Sequence, residues 1–192
     1  MANTQKHLIS FNLEKEIEHG IQVSNLAFRV GKQMGLSGEI CHELAVAGVL
    51  HDIGKLRLYS YIAGEENSMV VEEMRYVRRH PELGYESLKD RGYSAFVLES
   101  IYYHHENYDG SGYPENLAGE KIPLGARILR ICDVYAALTS KRAYRDAFSG
   151  ETAVKMVIDE VKNFDMQVFL AFQRAIHEAV SYTHLRAHET LS

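Results

Sequence analysis

Apolar residues recur along this chain with the period of α-helices. The first series has intervals of three to five residues and comprises Leu13, Ile17, Ile21, Leu26, Val30 and Met34. It predicts a helix that ends at Gly35, because glycine is common just past a helix C-terminus. A second helix is predicted from Ser37, a typical N-cap residue, to about Gly54.

The remaining segments follow the same pattern. After an irregular connection at 56–67, helices are predicted at about 70–80, 82–91, 94–106, 125–140, 151–163 and 165–180. Glycine, asparagine and proline concentrate in 107–124, which predicts one long loop. No segment keeps the alternation of apolar and polar residues that is typical of strands. The predicted fold class is therefore all-α, as a single helical-bundle domain.

The last twelve residues, 181–192, do not continue this helical pattern. They resemble translated sequencing-adapter sequence of the kind found in assembled sequence data. We therefore expect one domain over residues 1–180 and a C-terminal tail over 181–192 that looks non-native.

Composition and charge limit the possible functions. With 192 residues, the chain can bury a sizeable core, and Cys41 and Cys132 lie in apolar patterns that favour buried free thiols. The net charge of -5 excludes a generally basic surface, so no DNA partner is expected. No apolar run approaches the roughly 20 residues that span a bilayer. The polar N-terminus is unlike a signal peptide, which predicts a cytoplasmic protein without a membrane span.

Two adjacent pairs of metal-binding side chains dominate the chemistry of the chain. They are His51-Asp52 and His104-His105. Imidazole and carboxylate groups bind divalent metals such as iron, manganese, nickel and zinc. Adjacent residues of a helix point roughly 100° apart. Each pair therefore suits two neighbouring ions, or one ion and its bridge, better than a single chelated ion.

The motifs around these pairs form a longer, ordered signature. They are His51-Asp52-Ile53-Gly54-Lys55, Arg79-His80-Pro81, His104-His105-Glu106, Asp109-Gly110-Ser111-Gly112-Tyr113-Pro114 and Asp133. From about residue 19 to about residue 153, the chain resembles the HD-GYP branch of the HD phosphohydrolase superfamily. The resemblance implies a helical bundle of the HD-domain type.

The resemblance also implies a ligand set for two divalent metal ions per chain, iron or manganese first, with nickel or zinc as alternatives. One ion would be held by His19, His51 and Asp133, the other by His80, His104 and His105, with Asp52 bridging both. Residue by residue, other interpretations stay open. His19 alone could be a structural histidine, Asp133 could pair with an arginine, and His80 could cap the helix at Pro81.

The expected number of ions depends on the first helix. Some members of the family carry a glutamate four residues before the first histidine and bind a third ion with it, but that position here is Lys15. An ammonium group cannot ligate a cation, so two ions are expected. Glu16, three residues before His19, is the alternative third ligand.

Four further residues are candidates for substrate contacts by resemblance. Lys55 would contact an oxygen of the scissile phosphate, and Arg142 and Arg145 would bind the phosphates of a dinucleotide with planar guanidinium groups. Tyr113 would stack on a purine or hydrogen-bond to phosphate. Without the resemblance, these lysine and arginine side chains would be interpreted as solvated surface charges. Glu106 and the neighbouring Asp109 are expected to brace the loop rather than bind metal.

The predicted function is that of a metal-dependent phosphodiesterase, with Asp52 and Lys55 as its catalytic residues. It would hydrolyse cyclic di-GMP to pGpG, and further to GMP as an additional step, in bacterial second-messenger signalling. The alternatives are hydrolysis of another cyclic dinucleotide or nucleotide, and a signalling module that binds without turnover. The resemblance adds a diguanylate cyclase or a sensor or receiver domain as partners at the Gly-Tyr-Pro loop, and a homodimer as an assembly.

Overall fold

The computed structural model describes residues 12–62, 77–141 and 145–189, with side chains described for 12–58, 77–141 and 145–178. The helices are α1 (Leu13–Gln33), α2 (Gly38–Leu50), α3 (Gly54–Ile62), α4 (His80–Leu88), α5 (Ala95–Tyr102), α6 (Leu124–Thr139), α7 (Gly150–Asp159) and α8 (Met166–Glu189). Short 3₁₀ turns occur at Gly119–Lys121 and Val161–Asn163. These ranges contain no β-strand, so the all-α prediction is confirmed.

Side-chain caps define where several helices begin. Ser37 accepts a hydrogen bond from the backbone N–H of Ile40 at 3.3 Å, as its predicted N-cap position requires. Ser94 accepts the N–H of Val97 at the start of α5 in the same way. Helix α4 has Pro81 in its first turn, where no intrahelical hydrogen bond is lost.

Helix α6 lies at the centre of the bundle. It packs against α1, α2, α5, α7 and α8, and seven of its residues are buried. The largest fully buried side chains of the core include Phe172, Leu44 and Ile101 as well as Ile128 and Leu129 of α6. Both cysteines are buried and free, as predicted. Because Asp133 is on α6, the central helix carries one polar side chain to the edge of this apolar core.

Two glycines allow α1 and α2 to approach closely. A Cβ on Gly48 would lie 2.7 Å from the Cα of Ser24, and one on Gly20 would lie 2.8 Å from the carbonyl oxygen of Val49. Both contacts are with backbone, so neither position accepts a side chain without moving a helix. This contact brings the N-terminal half of α1, which carries His19, next to the end of α2.

Several predicted boundaries differ from the structure. Helix α2 ends at Leu50 rather than near Gly54, and α3 occupies much of the predicted irregular connection. Helix α5 ends at Tyr102, so the predicted helix at 94–106 is too long by one turn. Helix α8 continues to Glu189, beyond the predicted end at 180, and the tail boundary at 181 stays a prediction.

Part of the predicted helix at 70–80 and the end of the predicted connection at 56–67 lie outside the described residues. Within the described ranges, no helix has the length and apolar composition needed to cross a membrane.

Candidate metal centre

Seven potential metal ligands that are far apart in the sequence lie together in the fold. They are His19, His51, Asp52, His80, His104, His105 and Asp133. They come from helix α1, the turn after α2, the first residue of α4, the turn after α5 and helix α6. Four of the histidines are buried, and the two carboxylate side chains are 10% and 15% exposed. The cluster is therefore accessible mainly from the side of its carboxylates and of His105, which is partly exposed.

One half of the cluster joins α1, the end of α2 and α6. The Nε2 atom of His19 lies 2.9 Å from Oδ1 of Asp133 and 3.9 Å from Oδ2 of Asp52. The Nε2 atom of His51 lies 3.2 Å from Oδ2 of Asp52 and 3.8 Å from Oδ1 of Asp133. Two imidazoles and two carboxylates thus converge on one small volume.

The other half joins the same aspartate to three histidines. The Nε2 atom of His80 lies 3.1 Å from Oδ1 of Asp52, and 3.2 Å from the Nε2 atoms of both His104 and His105. Two ligand atoms bound to one ion at right angles, each about 2.1 Å from it, are roughly 3.0 Å apart. Since Asp52 directs a different oxygen towards each half, it has the geometry of a bridging carboxylate.

Backbone carbonyl groups fix the orientation of three of these rings. The Nδ1 atoms of His51, His80 and His104 lie 2.8, 2.5 and 2.7 Å from carbonyl oxygens three residues earlier in the chain. A carbonyl oxygen can only accept, so each Nδ1 carries the proton and donates it. When these rings are neutral, their lone pairs are therefore on Nε2 and point into the cluster, as in histidines that bind metal.

This arrangement fits a divalent metal ion better than it fits an ion-free protein. The Nε2 lone pairs of His80 and His104 face each other, and that of His51 faces carboxylate oxygens. The buried Nε2 atom of His51 has no hydrogen-bond partner among the described residues. Facing lone pairs repel unless a proton or a cation lies between them. The residues present can therefore hold divalent metal.

The pKa values of the cluster residues also indicate that the cluster favours a bound positive charge. Burial opposes ionisation of Asp52, but the charges of His51 and Lys55 outweigh it and hold the pKa of this carboxyl well below its usual range. Burial alone would lower the pKa of His51, yet Asp52 and Asp133 raise it to about 10. On the other side, burial lowers the pKa of His105 to about 3, so this imidazole stays neutral and can ligate.

Lys55, on α3, is part of the cluster rather than a solvated side chain. Its Nζ atom donates to Oδ2 of Asp52 at 2.5 Å and lies 3.3 Å from Oε2 of Glu16 on α1. Burial opposes its charge, but Asp52 and Glu16 raise the pKa of the ammonium group above its ordinary value. Glu16 therefore pairs with a lysine in this structure, and Lys15, at the position of the glutamate found in some family members, is exposed.

The loop at 107–124 covers the half of the cluster that contains three histidines. The ring of Tyr113 stacks on that of His105, with 4.7 Å between centroids and an interplanar angle of 21°. A Cβ on Gly112 would lie 2.3 Å from the backbone nitrogen of Asn107, so glycine is required for this close return of the chain. Tyr113 is thereby held against a metal-ligand candidate.

Buried Glu106 braces this loop, as expected. Its two carboxylate oxygens accept backbone N–H groups of Glu115 and Leu117 at 2.7 and 3.1 Å. Asp109 plays a similar part at the loop tip, where it accepts the N–H and hydroxyl of Ser111.

We expect Glu106→Ala to reduce the free energy of unfolding by about 2 kcal/mol, because two loop N–H groups lose a charged acceptor. Urea unfolding measures this loss. Glu120→Ala, in the same loop but exposed, is the matched control and should change stability by less than about 0.5 kcal/mol. Equal losses in the two variants would show that Glu106 does not brace the loop.

Of the two arginines predicted to bind phosphate, the structure describes one. Arg142 lies outside the described residues. The guanidinium of Arg145 donates to the carbonyl oxygens of Leu138, Ala137 and Asp146, and thus caps the C-terminal end of α6. The sequence did not predict this structural task, and the phosphate contact of Arg145 stays a prediction.

Two other arginines beside the cluster were missed by the sequence analysis. Arg130 donates from Nε to Oδ1 of Asn107 at 2.8 Å, and Arg78 has its Cζ atom 5.3 Å from the centroid of the Tyr113 ring. The available signals were their positions, three residues before Asp133 and two before His80. Such spacing alone does not distinguish a site residue from a surface charge.

Comparison with known proteins agrees with this geometry. The family model for the HD domain matches residues 3–168. The chain belongs to the HD-domain family. The predicted superfamily is thus confirmed, and HD domains bind divalent metals, which accords with the ligand cluster.

Several similar proteins are named as phosphodiesterases. The chain is 38% identical to the cyclic di-GMP phosphodiesterase PA4108 of Pseudomonas aeruginosa, over 82% of this chain and 38% of that protein. It is 34% identical to 3'3'-cGAMP-specific phosphodiesterase 1 of Vibrio cholerae, over 88% of this chain and 40% of that protein. The chain therefore spans well under half the length of these relatives.

Among solved structures, the fold is similar to that of Bd1817, an HDG"Y"P protein of Bdellovibrio bacteriovorus. The TM-score is 0.66 at 20% sequence identity, covering 84% of this chain and 52% of that one. At this identity the likeness concerns the fold, which is that of the predicted HD type.

Proposed function

We propose that this chain is a metal-dependent phosphodiesterase that hydrolyses cyclic di-GMP to pGpG. The observation that carries the proposal is the cluster of seven ligand side chains around Asp52, whose two oxygens serve the two halves. The relatives named as cyclic di-GMP phosphodiesterases support the choice of substrate.

The proposed cofactor is a pair of divalent ions, with iron or manganese as the first candidates. His19, His51 and Asp133 would hold one ion, His80, His104 and His105 the other, and Asp52 both. Bound ions would lower the pKa of a water molecule and neutralise charge on the phosphate. We propose two ions rather than three because Glu16 is engaged with Lys55.

The residues of this chain then have distinct tasks in hydrolysis. The carbonyl-bound histidines present their Nε2 lone pairs without reorientation, which keeps the cluster preorganised. Lys55, charged at neutral pH, can donate to an oxygen of the scissile phosphate next to Asp52. Burial raises the pKa of Tyr113 above its ordinary value, so its phenol stays protonated and acts as a hydrogen-bond donor.

A second candidate substrate is 3'3'-cGAMP, because one relative is named as specific for it. The two cyclic dinucleotides share their phosphates and differ in one base. The metal cluster acts on the phosphodiester group, and it therefore does not discriminate between them by itself.

The test is metal-dependent turnover of the anaerobically purified protein. Cyclic di-GMP, 3'3'-cGAMP and cyclic di-AMP are supplied separately with Mn²⁺ or Fe²⁺, products are separated by chromatography, and bound metal is measured by elemental analysis. We expect two ions per chain and pGpG as the product of cyclic di-GMP. Faster turnover of 3'3'-cGAMP would replace the substrate but keep the reaction class.

Binding of cyclic di-GMP without turnover, at full metal occupancy, would instead identify a non-catalytic signalling module. Two assemblies stay proposals: a partner at the Gly-Tyr-Pro loop, which would be a diguanylate cyclase or a sensor or receiver domain, and the homodimer. Analytical ultracentrifugation of the same preparation would test the homodimer.

A further inference from the structure

Arg78 and Arg130 place two guanidinium groups beside the half of the cluster that contains three histidines. Arg78 lies two residues before His80, in the turn that leads into α4, and Arg130 lies one helical turn before Asp133 on α6. They come from segments separated by about fifty residues, yet both contact the loop at 107–124: Arg78 lies over the ring of Tyr113, and Arg130 is hydrogen-bonded to Asn107.

The position of Arg130 is fixed by one hydrogen bond. Its Nε atom donates to the side-chain oxygen of Asn107, and this residue follows His105 by two positions. Its two terminal nitrogens have no hydrogen-bond partner among the described residues, and no described carboxylate lies within salt-bridge distance. Arg130 is half-buried. Its Nε atom is held by Asn107, and the two terminal nitrogens remain available to donate to a ligand.

Arg78 is exposed and lies over the ring of Tyr113, which itself stacks on His105. A guanidinium over an aromatic face keeps its in-plane N–H groups available, because the ring interacts with its flat side. Within the described part of the chain, Arg78 has neither a carboxylate partner nor a hydrogen bond that would occupy these donors. Its neighbour Arg79, in contrast, is paired with Glu82 at 3.3 Å.

We propose that Arg78 and Arg130 form a subsite for the second, non-scissile phosphate of a cyclic dinucleotide, with Tyr113, whose ring lies under Arg78, as a further hydrogen-bond donor. This inference rests on the proposed function, and it defines the substrate class as a ligand with two phosphates. These three residues constitute the second-phosphate subsite.

Charge and location both favour this ligand. A cyclic dinucleotide holds two anionic phosphates at a fixed separation on one ring, so a phosphate at the metal cluster brings the other to its margin. Lys55 bonds the Asp52 oxygen that faces His51, and it is therefore assigned to the scissile phosphate. The arginines flank the opposite half of the cluster, and planar guanidinium donors match the oxygens of a phosphodiester.

The test compares Arg78→Ala and Arg130→Ala with Arg79→Ala, an adjacent arginine that is already paired. Affinity for a non-hydrolysable phosphorothioate analogue of cyclic di-GMP is measured by calorimetry on metal-loaded protein. Turnover is measured on cyclic di-GMP and on bis(p-nitrophenyl) phosphate, which has a single phosphate. Bound metal and melting temperature are recorded for each variant.

We expect each of the two alanine variants to bind the analogue about tenfold more weakly, the loss typical of one charge-assisted hydrogen bond. The ratio of kcat/KM for cyclic di-GMP to that for bis(p-nitrophenyl) phosphate should fall by a similar factor. Arg79→Ala should leave that ratio unchanged, and Arg130→Lys should recover part of the affinity because it keeps the positive charge.

Equal losses on both substrates, or variants that match Arg79→Ala, would overturn the subsite. A protein that turns over bis(p-nitrophenyl) phosphate but no cyclic dinucleotide would contradict the proposed function. In that case the binding measurement still decides the subsite by itself, because it requires no turnover. Absence of binding to the wild-type protein would reject both proposals.

Discussion

Asp52→Asn is expected to abolish hydrolysis and to release bound metal. Among the described residues, Asp52 is the one side chain with oxygens close to both halves of the cluster: Oδ2 lies 3.2 Å from His51, and Oδ1 lies 3.1 Å from His80. An asparagine keeps a single acceptor, and its amide would direct N–H donors at one of the two proposed ions. It also removes a negative charge that offsets the charge of the ions.

The expected loss of rate is about a thousandfold or more, comparable to the removal of a key electrostatic group from an active site. Elemental analysis should show less than half of the wild-type metal content under the same purification. Asp146→Asn, at an exposed aspartate outside the cluster, is the matched control and should retain both properties. Full metal occupancy with most of the activity in Asp52→Asn would refute a shared, bridging carboxylate.

The histidine pairs could be identified in the sequence, but their local geometry could not. Both pairs were predicted within helices, whereas α2 ends at Leu50 and α5 ends at Tyr102. The last carbonyl groups of a helix lack intrahelical donors. The Nδ1 atoms of His51 and His104 bond such carbonyls, of Gly48 and Ile101. These two candidate ligands therefore also cap helices. Capping depends on the orientation of the imidazole ring, which residue spacing does not specify.

The first helix illustrates a second limit of sequence patterns. Its apolar series predicted the helix correctly, but Leu13, Ile17 and Ile21 are 51%, 53% and 48% exposed. The buried face in this part of the helix instead carries His19 and Gly20. Hydrophobic periodicity identifies the face with most apolar residues, and here the face towards the cluster carries a histidine that is a candidate ligand.

Long cationic side chains were the least predictable part of the site. Arg145 reaches three backbone carbonyls, and Arg130 reaches a side chain 23 residues earlier in the sequence. An arginine has several rotatable bonds, so its position in the sequence fixes its backbone and leaves the location of its guanidinium open. Only the packing of α6 against the loop determines which groups it meets.

Gly54→Ala is expected to destabilise the fold more than Glu106→Ala does. A Cβ at this position would lie 2.0 Å from the carbonyl oxygen of His80 and 2.6 Å from the backbone nitrogen of Gly84. Both atoms belong to the backbone of α4, so no side-chain rotation relieves the overlap. The start of α3 would have to separate from the start of α4.

This separation links stability to the cluster, because His80 is the first residue of α4 and Lys55 follows Gly54 in α3. We expect a loss of about 3 kcal/mol in the free energy of unfolding, near the upper end for overpacking. The corresponding fall in melting temperature is roughly 6–12 °C for a chain of this size. Metal affinity should decrease as well, since His80 contacts both Asp52 and His104.

Gly38→Ala is the matched control for this variant. Gly38 is the first residue of α2, and a Cβ there would meet no atom within 4 Å. This substitution should be neutral or stabilising by up to about 1 kcal/mol, because alanine favours a helix more than glycine does. Thermal unfolding and calorimetric titration with Mn²⁺ on both variants measure the two effects. If Gly54→Ala lost stability but bound Mn²⁺ as tightly as the wild-type protein, the contact between α3 and α4 would not be what positions His80.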